Sequence, residues 1–160
     1  MKKNKFDAVF IGSGAGTPYE LTDHKNNIVP GQRLKGVYSA NEFLTRVNLM
    51  KSYFFPEYKT PPPKVKDKTV VVFGGSNVAM DAARTALRLD AKRVIVMYRR
   101  TESEILARNE EHENAKKEGI EFMYLVTPIN FIGNEAGALV KIEYFKNMLG
   151  ELDPSGRPMP

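Results

Sequence analysis

The spacing of apolar residues changes several times along the chain, and each change predicts an element. Residues 6–11 form a short apolar run that predicts a strand, and it ends in the glycine-rich stretch Gly12-Ser13-Gly14-Ala15-Gly16. Residues 19–36 are polar and aperiodic, an excursion with a type II turn expected at Pro30-Gly31. Phe43, Leu44, Val47 and Met50 then recur at helical spacing and predict an amphipathic helix over 40–50. Pro61-Pro62-Pro63 follow, and consecutive prolines favour an extended, stiff spacer, which sets a subdomain boundary.

Past the spacer the two periods alternate. Strands are predicted at 69–73, 93–98 and 121–126, with helices at 78–89 and 109–118 between them. Strands joined by helices imply right-handed crossovers and a parallel sheet. From Thr127 the pattern changes, because the runs at 130–133 and 138–148 are separated only by Asn134-Glu135-Ala136-Gly137, a hairpin-like turn. The predicted fold class is α/β: a Rossmann-like parallel sheet with flanking helices and a closing antiparallel β-meander. Residues 150–160 are turn-rich.

Composition narrows the chemistry. The chain has 160 residues, enough for one real core, and its hydrophobic (42%) and charged (27%) fractions exclude disorder and fibrous repeats. It contains no cysteine, so it supplies no disulfide, thiolate or iron–sulfur ligand, and redox chemistry would come from a cofactor. Met1-Lys2-Lys3-Asn4-Lys5 looks like the start of a signal peptide, but the apolar segment behind it is too short, and no run approaches a membrane span. A cytoplasmic protein with no membrane partner is expected. The net charge of +5 raises a nucleic-acid reading, yet Lys51, Lys59, Lys64, Lys66, Lys68, Lys116 and Lys117 are scattered, and Lys116 and Lys117 read as a solvated helix face. A positive field also suits an anionic dinucleotide. His24 and His112 have no ligand partners at helical spacing, so no metal or catalytic role is expected for them.

The chemistry-bearing motif lies where the first Rossmann-like strand meets its helix. Gly74-Gly75-Ser76-Asn77-Val78-Ala79 follows the apolar run Val70-Val71-Val72-Phe73 and opens a helix, the context in which backbone N–H groups meet a dinucleotide pyrophosphate. Gly74 supplies the tight turn, and Ala79 is small enough for helix and strand to approach. Ser76 stands where glycine usually lets the phosphate come close. No Gly-Lys-Ser/Thr follows, which excludes a Walker A loop. At the end of the next strand, where NAD sites place Asp or Glu for the ribose hydroxyl, Arg99 and Arg100 stand instead. Two guanidinium groups suit a 2′-phosphate, so NADP(H) is expected over NAD(H). Arg108 is a third candidate phosphate contact, or a partner for Glu104 or Glu111. Asp81 and Arg84 are expected to cap and brace their helix.

The run Gly-Gly-Ser-Asn-Val-Ala-Met-Asp-Ala-Ala-Arg at 74–84, with Tyr98-Arg99-Arg100 behind it, resembles the NADPH-dependent glutamate synthase small (beta) subunit family. So do Phe10-Ile11-Gly12-Ser13-Gly14-Ala15-Gly16, Tyr38-Ser39-Ala40-Asn41-Glu42-Phe43-Leu44, Ala107-Arg108-Asn109-Glu110-Glu111 and Leu149-Gly150-Glu151-Leu152-Asp153-Pro154-Ser155-Gly156-Arg157. The resemblance runs almost end to end but covers only the family's central NADPH-binding module, as an excised fragment would. Ser76 replaces the usual third glycine, and Ile105-Leu106 a usual Met-Pro pair.

That resemblance implies a two-dinucleotide-binding-domain flavoprotein in which NADPH passes a hydride to FAD and electrons leave through iron–sulfur clusters. FAD, clusters and the acceptor, a glutamate synthase large subunit or another electron-accepting subunit, belong to the full-length context. It also implies boundaries: a junction segment at 1–58, a Pro-rich linker at 59–68 and the NADPH-binding Rossmann-like domain at 69–160. Expected cofactor contacts are Gly74, Gly75, Ser76, Asn77, Val78, Arg99, Arg100 and Arg108, with Gly12 and Gly14 at the junction turn and no catalytic residue in this chain. An uncovered sheet edge makes self-association an expectation. A second reading is a stand-alone NADP(H)-binding or interaction module without catalysis. A third is a nucleic-acid-binding domain, with binding that collapses in salt and ignores a 2′-phosphate.

Overall fold

The computed structural model describes residues 7–11, 17–23, 25–154 and 156–160. Three parallel strands, β1 (Thr69–Phe73), β2 (Arg93–Tyr98) and β3 (Glu121–Tyr124), lie in the order β1-β2-β3, with Thr69 opposite Arg93 and Ile95 opposite Glu121. The central strand explains its own composition. Val94, Ile95, Val96, Met97 and Tyr98 are all buried, so β2 has no polar face, as a strand covered on both sides requires.

Helix α2 (Asn77–Arg88) connects β1 to β2 and buries Ala79, Met80, Ala82, Ala83 and Ala86. Four alanines along one stripe let the helix lie close on the sheet, and Met80 fills what remains of that layer. Met80 is fully buried, so truncation to alanine would cost about 2–5 kcal/mol. Helix α3 (Asn109–Lys117) covers the same face with Ala115, and Ile120 follows it into the core. Phe43, Val47 and Val65 join this cluster, whereas Ile95, Met97 and Val126 form the core on the other face.

The predicted helix at 40–50 divides in two. Ser39 caps α1 (Ala40–Leu44) by accepting from the Glu42 N–H, after which Thr45–Leu49 widens to a π turn whose closing bond runs from Met50 N–H to Thr45 O. Phe43 and Val47, one turn apart, still face the core together. Over 7–11 there is no strand: Val9, Phe10 and Ile11 are exposed, with no sheet edge of the described residues beside them, so the apolar run lacks the partner a strand needs.

The expected strand at 121–126 is also corrected. Leu125 adopts φ +58°, donates its N–H to the Arg100 carbonyl and accepts from Asn147 N–H, so the apolar run breaks into β3 and β4 (Val126–Gly133). Strand β4 pairs antiparallel with β5 (Leu139–Lys146), from Val126 opposite Lys146 to Gly133 opposite Leu139. The expected meander is therefore a two-stranded hairpin. Its turn is held by the Asn134 side chain, which accepts from the N–H groups of Ala136 and Ala138. Gly31, at φ +83° in the predicted Pro30-Gly31 turn, lies against Phe131, and Pro30 O accepts from Phe131 N–H. Phe131 in turn meets Phe73 edge-on, tying the hairpin to the end of β1.

Candidate functional site

At the end of β1 the chain turns at Gly74, whose φ of +125° is closed to residues with a side chain. Its N–H still reaches Met97 O at 3.1 Å, extending the β1–β2 ladder by one step. Gly75 is buried against the Tyr98 ring, so close that a Cβ would lie 2.8 Å from Tyr98 Cε2. The two glycines thus serve different needs, the first a dihedral angle and the second a packing distance.

The loop after β2 is pinned over this turn. Gly75 O accepts from the N–H groups of Leu106 and Ala107 at 2.9 and 2.7 Å, and Asn77 Oδ1 accepts from Arg108 N–H at 2.9 Å. Tyr98 Oη donates to Glu104 O at 2.6 Å. Thr101 and Glu104 form a capping box that shapes the loop's own turn at Glu102–Glu104. Arg108 therefore sits beside the start of α2 because its backbone is tied there.

Ser76 is the N-cap of α2, with extended φ and ψ, and its hydroxyl makes no capping bond. Its carbonyl accepts from Ala79 and Met80, but the N–H groups of Ser76, Asn77 and Val78 take no acceptor among the described residues. The positive end of the helix dipole is exposed with them. A cleft of about 240 Å³ opens beside this turn at the C-terminal ends of β1 and β2, lined by Gly74, Tyr98, Arg99, Thr127 and Glu20. In open α/β sheets this is where ligands bind. A larger hollow of about 640 Å³, between α1 and the Pro-rich segment, contains none of these residues.

The two adjacent arginines part company. Arg99 is exposed at the cleft, with its carbonyl held by Asn147 Nδ2 at 2.9 Å and its guanidinium in no ion pair among the described residues. Arg100 is 3% exposed, donating from Nε to Pro158 O at 2.7 Å and from Nη2 to Asp153 Oδ2 at 2.6 Å. The expected phosphate contact by Arg100 does not fit this geometry, because its guanidinium is turned into the C-terminal segment and engaged there. Arg108 is exposed and pairs with neither Glu104 nor Glu111, so its side chain is open toward solvent beside α2. Gly12, Gly14 and His24 lie outside the described residues.

Arg84, expected to brace its own helix, instead ties α2 to α3, reaching Glu111 at 2.6 Å and Glu118 at 2.9 Å. The bond from Arg84 holds the Glu118 carboxyl below the usual carboxylate range. His112 is buried on α3, with Nε2 3.0 Å from Tyr124 Oη and Phe122 edge-on to its ring. Burial lowers the His112 pKa and pushes the Tyr124 phenol up to about 12. Glu102 and Glu113 stand near this histidine, but the Lys116 ammonium already pairs with both carboxylates, so the solvated face expected for Lys116 is an ion-pair cluster. Asn147, Asp153 and Thr127 carry no periodic signal; the sequence marks 150–160 as turn-rich, with Asp153 inside the family-like run at 149–157.

The pattern of the pyridine nucleotide-disulphide oxidoreductases matches residues 1–150. The glutamate synthase [NADPH] small chain of Escherichia coli is 35% identical over 153 residues, 95% of this chain and 31% of that protein. The NADP(+)-dependent formate dehydrogenase subunit beta of Moorella thermoacetica is 34% identical over 155 residues, 97% of this chain and 20% of that protein. The chain thus spans about a third or less of these curated relatives. Among solved structures, FprA from Mycobacterium tuberculosis (His57Gln mutant) superposes with a TM-score of 0.64 at 18% identity, covering 88% of this chain and 44% of that one, which supports the fold. No helix among the described residues is long and apolar enough to cross a membrane. The family is one of oxidoreductases, and this chain, similar over nearly its whole length to glutamate synthase small chains, belongs to the pyridine nucleotide-disulphide oxidoreductase family.

Proposed function

We propose that this chain is the NADPH-binding module of a cytoplasmic flavin oxidoreductase of the glutamate synthase small-chain kind, presenting NADPH to an FAD held by segments outside it. The observation that carries this reading is Arg99, in no ion pair among the described residues, at the cleft beside the open N-terminus of α2. The residues present fit the cofactor. The N–H groups of Ser76, Asn77 and Val78, with the Ser76 hydroxyl, would hold the pyrophosphate. Arg99 and Arg108 would meet the 2′-phosphate. When bound, NADPH supplies a hydride.

The chain contributes binding and orientation, and no general acid or base of its own is assigned. Relatives named for NADPH or NADP(+) agree with this cofactor. FAD, iron–sulfur clusters, the electron-accepting partner subunit and Gly12 and Gly14 as a junction contact belong to the same proposal, as do the boundaries at 58 and 68. Titration calorimetry tests it. NADPH should bind about 10-fold or more tightly than NADH, the value of a charge-assisted contact of about 1.5–3 kcal/mol; Arg99→Ala should reduce that difference, and Arg99→Ala with Arg108→Ala should erase it. Binding of neither nucleotide, or equal binding of both, would refute the reading.

A further inference from the structure

We infer that Arg100 is a positioning residue for cofactor preference: it anchors the C-terminal turn that carries Asp153 and Pro158 against the end of β2 and thereby holds Arg99 outward at the cleft. This rests on the reading of the cleft as an NADPH site. Arg99 and Arg100 are adjacent in the bend that follows β2, so anchoring the side chain and carbonyl of Arg100 restrains the backbone that carries Arg99. Here Arg100 is 3% exposed and Arg99 is exposed.

Three sets of bonds hold the inward residue. The Arg100 side chain reaches Asp153 Oδ2 and Pro158 O, and its carbonyl accepts from Leu125 N–H at 3.1 Å. The tail is itself a closed turn able to bear that load: Asp153 N–H donates to Arg157 O at 2.7 Å, Asp153 Oδ1 accepts from Arg157 N–H at 3.1 Å, and Gly150 and Met159 are joined by a bond of 2.8 Å. Asn147 completes the clamp from β5, donating from Nδ2 to Arg99 O at 2.9 Å and to Thr127 Oγ1 at 2.8 Å. A long side chain on a fixed backbone loses less freedom when it meets an anion. The residues that set NADPH over NADH thus include three, Arg100, Asn147 and Asp153, that touch no phosphate.

The experiment measures NADPH and NADH affinities for the wild-type chain, Asp153→Asn, Asp153→Glu and Arg100→Met, with Asp153→Asn and Arg100→Met repeated in an Arg99→Ala background. The clamp predicts that Asp153→Asn and Arg100→Met each weaken NADPH about 3- to 10-fold, leave NADH unchanged and have no further effect once Arg99 is gone. Asp153→Glu, which keeps the ion pair, should retain the preference. A direct phosphate contact by Arg100 gives the opposite signs: Asp153→Asn frees the guanidinium and tightens NADPH, and Arg100→Met still weakens NADPH in the Arg99→Ala background. Either result overturns the inference, as does an equal loss of both nucleotides, the mark of a merely structural role. Circular dichroism establishes folding, and Arg100→Met decides the matter alone if Asp153→Asn, which leaves a buried guanidinium uncompensated, does not fold. A wild-type chain without preference refutes the functional reading itself, a failure visible before any variant is made.

Discussion

Gly75→Ala is the sharpest probe of how the turn between β1 and α2 is built. An added methyl would sit 2.8, 2.9 and 3.0 Å from Cε2, Cδ2 and Cζ of Tyr98, closer than real Cβ contacts come. The ring has little room to yield, because Tyr98 is 5% exposed and its hydroxyl is bonded to Glu104 O. The glycine has little room either, with its carbonyl accepting from Leu106 and Ala107. Overpacking of this kind costs about 1–3 kcal/mol, which for a chain of this size lowers the melting temperature by about 2–12 °C. Thermal unfolding followed by circular dichroism measures it. The cause is tested by a cycle: in a Tyr98→Leu background, which removes the ring, Gly75→Ala should cost almost nothing more. A Gly75→Ala variant that melts with the wild type, or one equally destabilised in both backgrounds, would refute the claim that the Tyr98 ring is what requires glycine here.

Gly31→Ala should be more damaging than Gly75→Ala, at over about 2 kcal/mol by urea unfolding, because φ +83° disfavours a side chain and the methyl would meet the Phe131 carbonyl oxygen and lie 2.8 Å from Phe131 Cβ. Arg84→Met should cost about 1–2 kcal/mol by the same measurement, since it unties α2 from Glu111 and Glu118 at a partly buried site, and Glu118→Gln in that background should add little. His112 makes stability depend on pH: burial lowers its folded pKa below 6.5, so the unfolded chain takes up the proton first. The stability from its neutral form is present above about pH 6.5 and is lost as pH falls from there through the folded pKa. Unfolding at pH 7.5 and 5.5 should show that loss in the wild type and a smaller one in His112→Gln.

The parallel unit was legible because each of its elements states its own burial. The predicted helices at 78–89 and 109–118 are Asn77–Arg88 and Asn109–Lys117, and strands 69–73 and 93–98 are β1 and β2. Residues 7–11 misled for the complementary reason: hydrophobicity registers a need for burial, while a strand needs a neighbour, and Phe10 is 95% exposed. Leu125 was invisible because nothing in an apolar run announces a positive φ. At the site, the turn and its basic residues were legible as a motif, but Arg99 and Arg100 are the same residue type in consecutive places. What separates them is a carboxylate 53 residues later in the chain, a contact no local pattern encodes.

The break at Leu125 accounts for why those distant residues meet. Its left-handed turn stops the chain from extending the parallel strand and sends it into β4, and the hairpin then returns Asn147 to the place the chain has just left. Leu125 donates to Arg100 O and accepts from Asn147 N–H, so one residue holds the end of β2 and the end of β5 side by side. The tail that follows Asn147 can then reach the Arg100 guanidinium. Had β3 run on to residue 126, as the apolar pattern suggests, neither Asn147 nor Asp153 would be carried to the Arg99-Arg100 pair. The antiparallel hairpin is thus more than a cap on the sheet: it brings to the β1–β2 end the polar groups that bind one of two identical side chains to the scaffold and leave the other exposed at the cleft.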